Sequence, residues 1–310
     1  MRIVFMGNHN MGVLCLKRLI DLGEEIVAVV AHPDNDDPHE TVWYDSVKEV
    51  AKSHGLTVYQ PNDANSPEFV QLLSGLQPDL IVVVSFRQIL KKALIAVPHK
   101  GVINVHPSLL PKYRGRANIA WAIINGESKT GVTVHYIDEK IDTGPIVVQK
   151  EVDILFEDTV ATVLDRVTNM YPNALAEALR KVKEGYKGSV QTTEGTSYYG
   201  RRYPKDGLID WNQPAMSIYN LIRAVTHPYP GAFTSLGGKN LFIWAALPIE
   251  EPTAGEPAGR ILEAAQGQGF IVSTGRGKLL VKRAQLEGDD EKEAWQLFQD
   301  CNWQVGVSFS

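Results

Sequence analysis

Short apolar runs alternate with helically spaced apolar positions along the N-terminal part of the chain. The runs are rich in β-branched residues and predict buried strands at 2–7, 26–30, 57–59 and 80–84. Between them, apolar side chains recur every three or four positions and predict helices at 13–22, 45–54 and 67–76. A strand, a glycine-bearing turn, a helix and a second strand are typical of the opening of a Rossmann-like α/β sheet.

The next stretch, from residue 101 to residue 144, places polar side chains at the ends of predicted strands. Asn104 and His106 end an apolar strand and share one face, because alternate residues of a strand point the same way. Two prolines then exclude regular structure, and a loop carrying Asp142 closes the stretch. The predicted elements here are a strand at 101–106, a helix at 116–124 and a strand at 132–136.

The pattern changes in the second half of the chain. A strand at 146–152 and a long helix at 159–184 are predicted first, with Pro172 as the point where the helix would be interrupted. A helix at 214–225 and short strands separated by glycine-rich turns follow, and this spacing predicts a small β-barrel. The predicted strands are 232–235, 241–245, 259–263, 269–273 and 278–283. We therefore expect a catalytic domain over 1–203 and a barrel domain over 204–310.

Composition narrows the class of protein. The formal net charge of −5 gives no overall basic field for nucleic acid, and the chain begins directly on a strand, without a leader pattern. Cys15 and Cys301 are the only cysteines and lie too far apart in sequence to suggest a metal site or a disulfide scaffold. With no apolar run near the roughly 20 residues of a membrane helix, we expect a cytoplasmic enzyme with no membrane partner.

Asn104, His106 and Asp142 suggest acyl transfer to an amine. A carboxamide can donate to the oxyanion of a tetrahedral intermediate. An imidazole can take the proton of the attacking nitrogen, and a carboxylate can keep that imidazole basic. Asn-x-His is a weak pattern by itself, so turn residues and a loop acid remain the alternative. No serine or cysteine lies in an elbow motif, which favours direct transfer over an acyl-enzyme.

A longer motif resembles a known family. Asn104-x-His106-Pro-Ser-Leu-Leu-Pro-x-Tyr-Arg-Gly115, followed by Asp142-Thr-Gly144, is similar to the signature of the 10-formyltetrahydrofolate-dependent formyltransferases. The similarity extends to Trp211 and to Pro228-Tyr-Pro-Gly231, so it covers essentially the whole chain. It implies a Rossmann-like formyltransferase domain followed by a barrel of OB-like topology, with His106 transferring the proton, Asn104 holding the oxyanion and Asp142 keeping His106 basic.

The resemblance also implies where 10-formyltetrahydrofolate binds. The folate would lie along main-chain groups of one segment and meet the loop before Asp142, with Arg116 nearby. The implied residues are Gln88, Ile89, Leu90, Arg116, Asp138, Glu139, Lys140 and Ile141. Pro107 stands where many close relatives carry glycine, which stiffens the loop after His106. Neither a metal nor a nicotinamide is implied.

Two branches of that family share the two-domain layout: methionyl-tRNA formyltransferases and nucleotide-sugar N-formyltransferases. The tRNA enzymes carry a long basic insertion where this chain has a short acidic segment, Ala31 to Glu40, whose run Asp34 to Asp37 is expected to be a solvated loop. From Pro204 onward, twelve acidic and nine basic residues give a net charge of −3. Because phosphate contacts need cations, these features favour a sugar acceptor and no nucleic acid partner.

The sugar branch also resembles this chain in detail. The loop His9-Asn10-Met11, the Trp43-Tyr44 pair and the linker arginines look like the formyltransferase half of the enzyme that modifies UDP-4-amino-4-deoxy-L-arabinose. Arg201 and Arg202 offer guanidinium forks suited to a diphosphate. The expected substrate-binding residues are His9, Asn10, Met11, Arg201 and Arg202, with Trp43 and Tyr44 as candidates for stacking.

The sequence therefore predicts transfer of a formyl group to a nucleotide-linked 4-amino sugar, either the arabinose or a 4,6-dideoxy sugar. Formylation of methionyl-tRNA is the first alternative. A dinucleotide-binding module is another, although Gly7-x-x-x-x-Gly12 does not complete the Gly-x-Gly-x-x-Gly fingerprint. A formyl-folate hydrolase is a third. The oligomeric state stays open, with a homo-oligomer among the options.

Overall fold

The computed structural model describes residues 1–33, 46–252 and 255–309. The chain divides into two compact units, each assembled from several segments. The first unit comprises residues 1–115, 130–152 and 165–199, and the second comprises 116–129, 153–164 and 200–310. The segments 116–129 and 153–164 thus group with C-terminal residues from which they are distant in sequence.

A seven-stranded sheet forms the centre of the first unit, in the order β3-β2-β1-β4-β5-β7-β8. The pairs β1–β2, β1–β4, β2–β3 and β4–β5 are parallel, whereas β7 runs antiparallel to β5. Every residue of β4 is buried, as its uninterrupted apolar sequence predicts for a central strand. The strands are β1 Arg2–Gly7, β2 Glu25–Val30, β3 Val58–Tyr59, β4 Leu80–Val84, β5 Val102–His106, β6 Arg114–Gly115, β7 Lys129–Tyr136, β8 Ile146–Asp153 and β9 Tyr198–Tyr199.

Helices follow the strands in the predicted order. Ser46 and Ser66 cap two of them by accepting a hydrogen bond from a backbone N–H three residues later. The helices are α1 His9–Asp21, α2 Val47–Ser53, α3 Pro67–Gly75, α4 Lys92–Ile95, α5 Asn118–Ile124 and α6 Val160–Lys183. The predicted interruption at Pro172 is wrong, because α6 is continuous through it. Val167, Tyr171 and Leu175 are fully buried around the proline, and this packing compensates for the backbone hydrogen bond that a proline lacks.

The second unit contains an antiparallel sheet in the order β10-β11-β14-β13-β12, with β15 paired to β14. Helix α7 packs on α5 and β11, and α8, which the sequence pattern did not predict, packs on β13 and β14. The elements are α7 Ala215–Val225, β10 Ala232–Leu236, β11 Lys239–Ile249, β12 Ile261–Ala265, β13 Gly269–Ser273, β14 Lys278–Leu286, β15 Lys292–Glu293 and α8 Ala294–Asp300, and a short 3-10 helix covers Pro204–Gly207.

The predicted fold class is confirmed: a Rossmann-like α/β unit is joined to a smaller unit built on an antiparallel sheet. In the part of the chain that the structure describes, no helix has both the length and the apolar character needed to cross a membrane. The predicted domain boundary between residues 203 and 204 stays a prediction.

Candidate active site

The paired strands β5 and β7 place three polar side chains next to each other. Asn104 and His106 alternate along β5, and the antiparallel register sets Asn104 opposite His135 of β7. The Asn104 side-chain amide donates to His135 Nε2 over 3.3 Å, and both imidazoles are almost fully buried. The two rings meet edge to face with their centroids 6.1 Å apart. The expectation that Asn104 and His106 share one face agrees with this arrangement.

Asp142 faces both imidazoles from the loop after β7. Its Oδ2 lies 3.6 Å from His106 Nδ1, and its Oδ1 lies 3.6 Å from His135 Nε2. The backbone N–H of Gly115 donates to Asp142 Oδ2 over 2.8 Å. Gly115 has φ +97°, and a Cβ there would lie 2.2 Å from the carbonyl oxygen of Tyr199, so only glycine fits where this donor is needed.

Backbone carbonyls determine which ring nitrogens carry protons. His106 Nε2 lies 3.0 Å from the carbonyl oxygen of Tyr113, and His135 Nδ1 lies 2.7 Å from that of Tyr136. Because a carbonyl only accepts, these two nitrogens must be the donors. In the neutral rings, His106 Nδ1 and His135 Nε2 are therefore unprotonated, and both face the Asp142 carboxylate. The basic nitrogen of His106 is Nδ1.

The surroundings of the site lower the pKa values of both His106 and Asp142. Burial lowers the pKa of His106, and the charge of Asp142 opposes this change only partly, while His135 lowers it further. Burial alone would raise the pKa of Asp142, but the charge of His106, the contacts of His135 and the Gly115 N–H outweigh it and lower that pKa well below its usual range. The site thus pairs a carboxylate that stays ionised with an imidazole that is neutral at physiological pH.

Gln191, which the sequence analysis did not predict, holds the Asp142 loop in place. Its side-chain amide donates to the carbonyl oxygens of Asp142 and Gly144, each over 2.8 Å. Its Oε1 accepts from Arg114 over 2.7 Å, and Arg114 also donates to the hydroxyl of Tyr198. Asp142 has φ +52°, a left-handed conformation that is uncommon for residues other than glycine. The Gln191 bonds therefore support the backbone conformation that points Asp142 at the histidines.

His135 is the second residue that the pattern did not single out as functional. It lies between Asn104 and Asp142. Its position on β7 was the available signal, because two strands that end beside each other can bring their polar residues together. His106, His135 and Asp142 each offer one ligand-type atom, and these atoms lie within 4.8 Å of one another. That donor set is one that could hold a metal ion.

The residues predicted to bind folate are arranged as follows. Gln88 accepts from the Ala64 N–H and donates to the Asn62 carbonyl, the Ile89 side chain is 67% exposed, and Leu90 belongs to the apolar core. In the loop, Asp138 accepts from Thr143 and from the Lys140 N–H, while Glu139, Lys140 and Ile141 are exposed. Ile89 and the 139–141 segment therefore present surface to solvent, whereas Gln88 and Leu90 are engaged within the protein.

The remaining predicted residues fall into three places. His9, Asn10 and Met11 begin α1, and Met11 Sδ accepts a hydrogen bond from Ser85 Oγ. Trp43, Tyr44 and the acidic run Asp34 to Asp37 lie outside the described residues. Arg116, Arg201 and Arg202 line one cavity of about 250 Å³ within the second unit. The structure thus brings together two arginines predicted for the acceptor and one predicted for folate.

Two family models match the chain. One, described as formyl transferase, matches residues 1–179, and the other, described as the formyl transferase C-terminal domain, matches residues 202–302. Among similar curated proteins, a methionyl-tRNA formyltransferase of Geobacter metallireducens is 37% identical over 307 residues, covering 98% of this chain and 97% of its own. That of Caldanaerobacter subterraneus subsp. tengcongensis is 40% identical over 291 residues, covering 93% of each chain.

Solved structures with the same fold carry different names. The N-formyltransferase of Helicobacter canadensis, solved with folinic acid and dTDP-3-aminofucose, superposes with a TM-score of 0.71 at 21% identity, covering 91% of this chain and 98% of its own. A sugar 3N-formyl transferase, WlaRD, solved in the presence of dTDP and 5-N-formyl-THF, gives a TM-score of 0.69 at 22% identity, covering 94% and 99%. At such identities these likenesses show the fold alone.

The predicted amino-sugar acceptor is wrong by this comparison, and so is the argument against nucleic acid. Relatives at 37% and 40% identity over nearly the whole chain are methionyl-tRNA formyltransferases. A net charge of −3 over the C-terminal residues was a poor guide, because a net charge does not tell where cations cluster. Arg201 and Arg202 also lie just before Pro204, so the net charge of −3 does not include them.

Proposed function

Since the chain belongs to the formyl transferase family and is an N-formyltransferase, we propose that it transfers the formyl group of 10-formyltetrahydrofolate to the amino group of methionyl-tRNA. The observation that carries the proposal is the identity of 37–40% to methionyl-tRNA formyltransferases over 93–98% of the chain. The cluster of Asn104, His106 and Asp142, in which His106 is buried, supports it with the donors and acceptors that acyl transfer to an amine requires.

In the proposed reaction, the methionyl amine attacks the formyl carbon and the carbonyl oxygen becomes an oxyanion. Asn104 gives one Nδ2–H to His135, and its second N–H is the donor that we assign to the oxyanion. The hydrogen bond from Asn104 Nδ2 to His135 fixes the orientation of the carboxamide. Its nitrogen, rather than its oxygen, is therefore the end assigned to the oxyanion. A donor that is oriented before the reaction stabilises the developing charge without reorganisation.

The attacking nitrogen must lose a proton as the new C–N bond forms. His106 takes this proton at Nδ1, because Nε2 already donates to the Tyr113 carbonyl. Asp142, 3.6 Å away, then stabilises the imidazolium. Collapse of the intermediate breaks the bond between the formyl carbon and N10 of the folate. The His106 imidazolium returns its proton to N10 as tetrahydrofolate leaves, which restores the neutral imidazole.

A direct test is formylation of methionyl-tRNA by the purified protein with 10-formyltetrahydrofolate as donor. We expect formylmethionyl-tRNA to form, detected by acid-gel shift or by mass after deacylation. Uncharged tRNA should give no product, because it lacks the amine. Formate should not be released without the acceptor, which separates transfer from folate hydrolysis.

Two outcomes of this test would overturn the proposal. If methionyl-tRNA stays unmodified while UDP- or dTDP-linked amino sugars gain the mass of a formyl group, the acceptor is not tRNA. If neither acceptor reacts and formate accumulates, the reaction is hydrolysis. An Asn104→Ala variant provides the chemical control, because it should lose turnover by about 100-fold or more.

A further inference from the structure

The position of the proton on His106 depends on one backbone carbonyl. His106 Nε2 donates to the carbonyl oxygen of Tyr113 over 3.0 Å, whereas Nδ1 lies 3.6 Å from Asp142 Oδ2, beyond hydrogen-bond distance. The carboxylate is nevertheless the stronger acceptor, because hydrogen bonds to an ionised group are roughly twice as strong as neutral ones. If the Tyr113 carbonyl moved away, the proton would pass to Nδ1 and bind Asp142. Nδ1 could then not accept the proton of the attacking amine.

Tyr113 does not hold this position through its own backbone preference. Its φ is +57°, in the left-handed region that residues other than glycine rarely adopt. Such a conformation persists only where surrounding contacts enforce it. Tyr113 is almost fully buried, and its ring stacks on that of Tyr199 with the centroids 5.1 Å apart and the planes inclined by 16°. The contacts that fix the Tyr113 backbone therefore also fix the proton on His106.

Ser197 contacts the backbone on both sides of the Tyr113 Cα. Its Oγ accepts from the Tyr113 N–H over 2.9 Å, and its carbonyl oxygen accepts from the Arg114 N–H, also over 2.9 Å. The Arg114 N–H belongs to the same peptide group as the Tyr113 carbonyl, and in a trans peptide the two point in opposite directions. The hydrogen bond to Ser197 on one side thus directs the Tyr113 carbonyl toward His106 on the other. The parallel pairing of β6 with β9 continues these contacts.

The segment that contains Ser197 also holds the competing carboxylate. Gln191, earlier in this segment, donates to the carbonyl oxygens of Asp142 and Gly144, each over 2.8 Å. Residues 191–199 therefore hold both the backbone that carries the Tyr113 carbonyl and the loop that carries Asp142. One stretch of chain thus positions the two acceptors that compete for the imidazole proton.

We propose that Ser197 is a positioning residue for formyl transfer: through Tyr113 it keeps the His106 proton on Nε2, so that Nδ1 stays unprotonated and can accept the proton of the attacking amine. Ser197 acts through the backbone and does not touch the reacting atoms. Its effect on turnover rests on the proposed function, in which His106 takes that proton. The tautomer of the ring, in contrast, is a property of the protein without substrates, so it can be measured independently of the acceptor.

Nitrogen-15 NMR of the histidine rings in the full-length protein tests the effect on the tautomer. In the parent we expect the His106 proton on Nε2. Ser197→Ala should shift it toward Nδ1, and Ser197→Cys should do so to a smaller extent, because a thiol sulfur is a weak acceptor. Ser197→Thr keeps the hydroxyl and should retain the parental tautomer. Thr193→Ala, at an exposed position of the same segment, is the control. A parental His106 tautomer in both Ser197→Ala and Ser197→Cys would overturn the inference.

Steady-state formylation of methionyl-tRNA tests the catalytic consequence. Ser197→Ala should lower kcat about tenfold or more and leave KM for both substrates close to the parent values, because the change affects proton transfer rather than binding. Ser197→Thr should retain most of the parental kcat. A parental kcat in a variant whose His106 proton has moved to Nδ1 would overturn the inference. If the parent does not formylate methionyl-tRNA although the tautomer depends on Ser197, the proposed acceptor is wrong and the positioning of His106 by Ser197 stands.

Discussion

Two residues that alternate along one strand can be assigned to the same face before the fold is known, and Asn104 and His106 could be paired in this way. Asp142 could be added from its place in the loop that closes the 101–144 stretch, and the catalytic roles of all three remain predictions. His135 and Gln191 could not be found in the same manner. His135 joins the site only through the pairing of β5 with β7, and Gln191 lies 49 residues from the aspartate whose carbonyl it binds.

At the residue scale, the environment of His106 predicts its titration. Its pKa should lie below the ordinary imidazole value of about 6.5, because burial disfavours the charged ring. Asp142→Asn should lower it further, since Asp142 raises it in the parent. Nitrogen-15 NMR of the imidazole ring across pH measures both values. A His106 pKa above 6.5, or an increase in Asp142→Asn, would contradict this electrostatic description.

The lowered pKa of His106 also determines how the free energy of unfolding depends on pH. An imidazole whose folded pKa is depressed takes up its proton more readily in the unfolded chain. We therefore expect the free energy of unfolding to fall as pH drops below about 6.5, by an amount that His106→Gln removes. Equilibrium urea unfolding at several pH values checks this. The exposed His54 offers a matched control variant, His54→Gln, for the same measurement.

At the scale of elements, periodicity located most strands and helices, because apolar runs and helical spacing reflect burial directly. It did not predict that α6 would pass through Pro172 without a break, because the packing of Tyr171 and Leu175 is a tertiary effect. Helix α8 has only seven residues, too few for a strong periodic pattern. The loop conformation at Asp142 depends on Gln191 and could not be predicted from its own sequence.

The hydrogen bonds between Gln191 and the Asp142 loop predict a catalytic effect of Gln191, although Gln191 is not proposed to touch substrate. Gln191→Ala removes both donors to the 142–144 carbonyls, so Asp142 loses its position and kcat should fall about ten- to hundredfold. Steady-state kinetics and the pKa of His106 in the same variant measure the change. An exposed glutamine, Gln268→Ala, is the control. Parental kcat with an unchanged His106 pKa would remove Gln191 from the positioning role.

A glycine within β7, close to the backbone of β8, predicts a stability effect. A Cβ on Gly131 would lie 2.0 Å from the Lys150 carbonyl oxygen and 2.6 Å from Leu109 Cδ2. Gly131→Ala should therefore lower the free energy of unfolding by about 1–3 kcal/mol. Gly75, at the end of α3, has open space around it, and Gly75→Ala should be neutral or stabilising by up to about 1 kcal/mol. Chemical denaturation measures the free energy of unfolding of both variants. Equal values for the two would contradict the close packing of β7 against β8.

At the scale of the whole molecule, the sequence predicted two parts but not how the chain is shared between them. The segments 116–129 and 153–164 belong to the second unit, although residues 130–152 and 165–199 of the first unit separate them from each other and from its main part. A pattern read along the chain cannot reveal such grouping, because the grouping depends on long-range contacts. The predicted acceptor failed for a related reason: net charge describes a whole segment, whereas binding depends on local clusters.

One buried arginine connects the segments 153–164 and 200–310 of the second unit. Its contacts predict how far the stability of this unit depends on that connection. Arg223 of α7 donates to the Asn220 side chain and to the carbonyl oxygens of Leu155 and Asp158. Arg223→Ala should lower the free energy of unfolding by about 2–3 kcal/mol, because buried carbonyls lose a charged donor. The exposed Arg276→Ala should stay within about 0.5 kcal/mol of the parent. A parental melting temperature in Arg223→Ala would show that the link is dispensable.

The central claim is that His106 carries the proton during formyl transfer to methionyl-tRNA. A single-turnover formylation rate, measured with saturating 10-formyltetrahydrofolate, tests it most directly for His106→Ala beside the exposed His99→Ala. We predict a rate about 100-fold or more below the parent for His106→Ala, with unchanged circular dichroism, and a parental rate for His99→Ala. A His106→Ala rate within a few-fold of the parent would contradict the account.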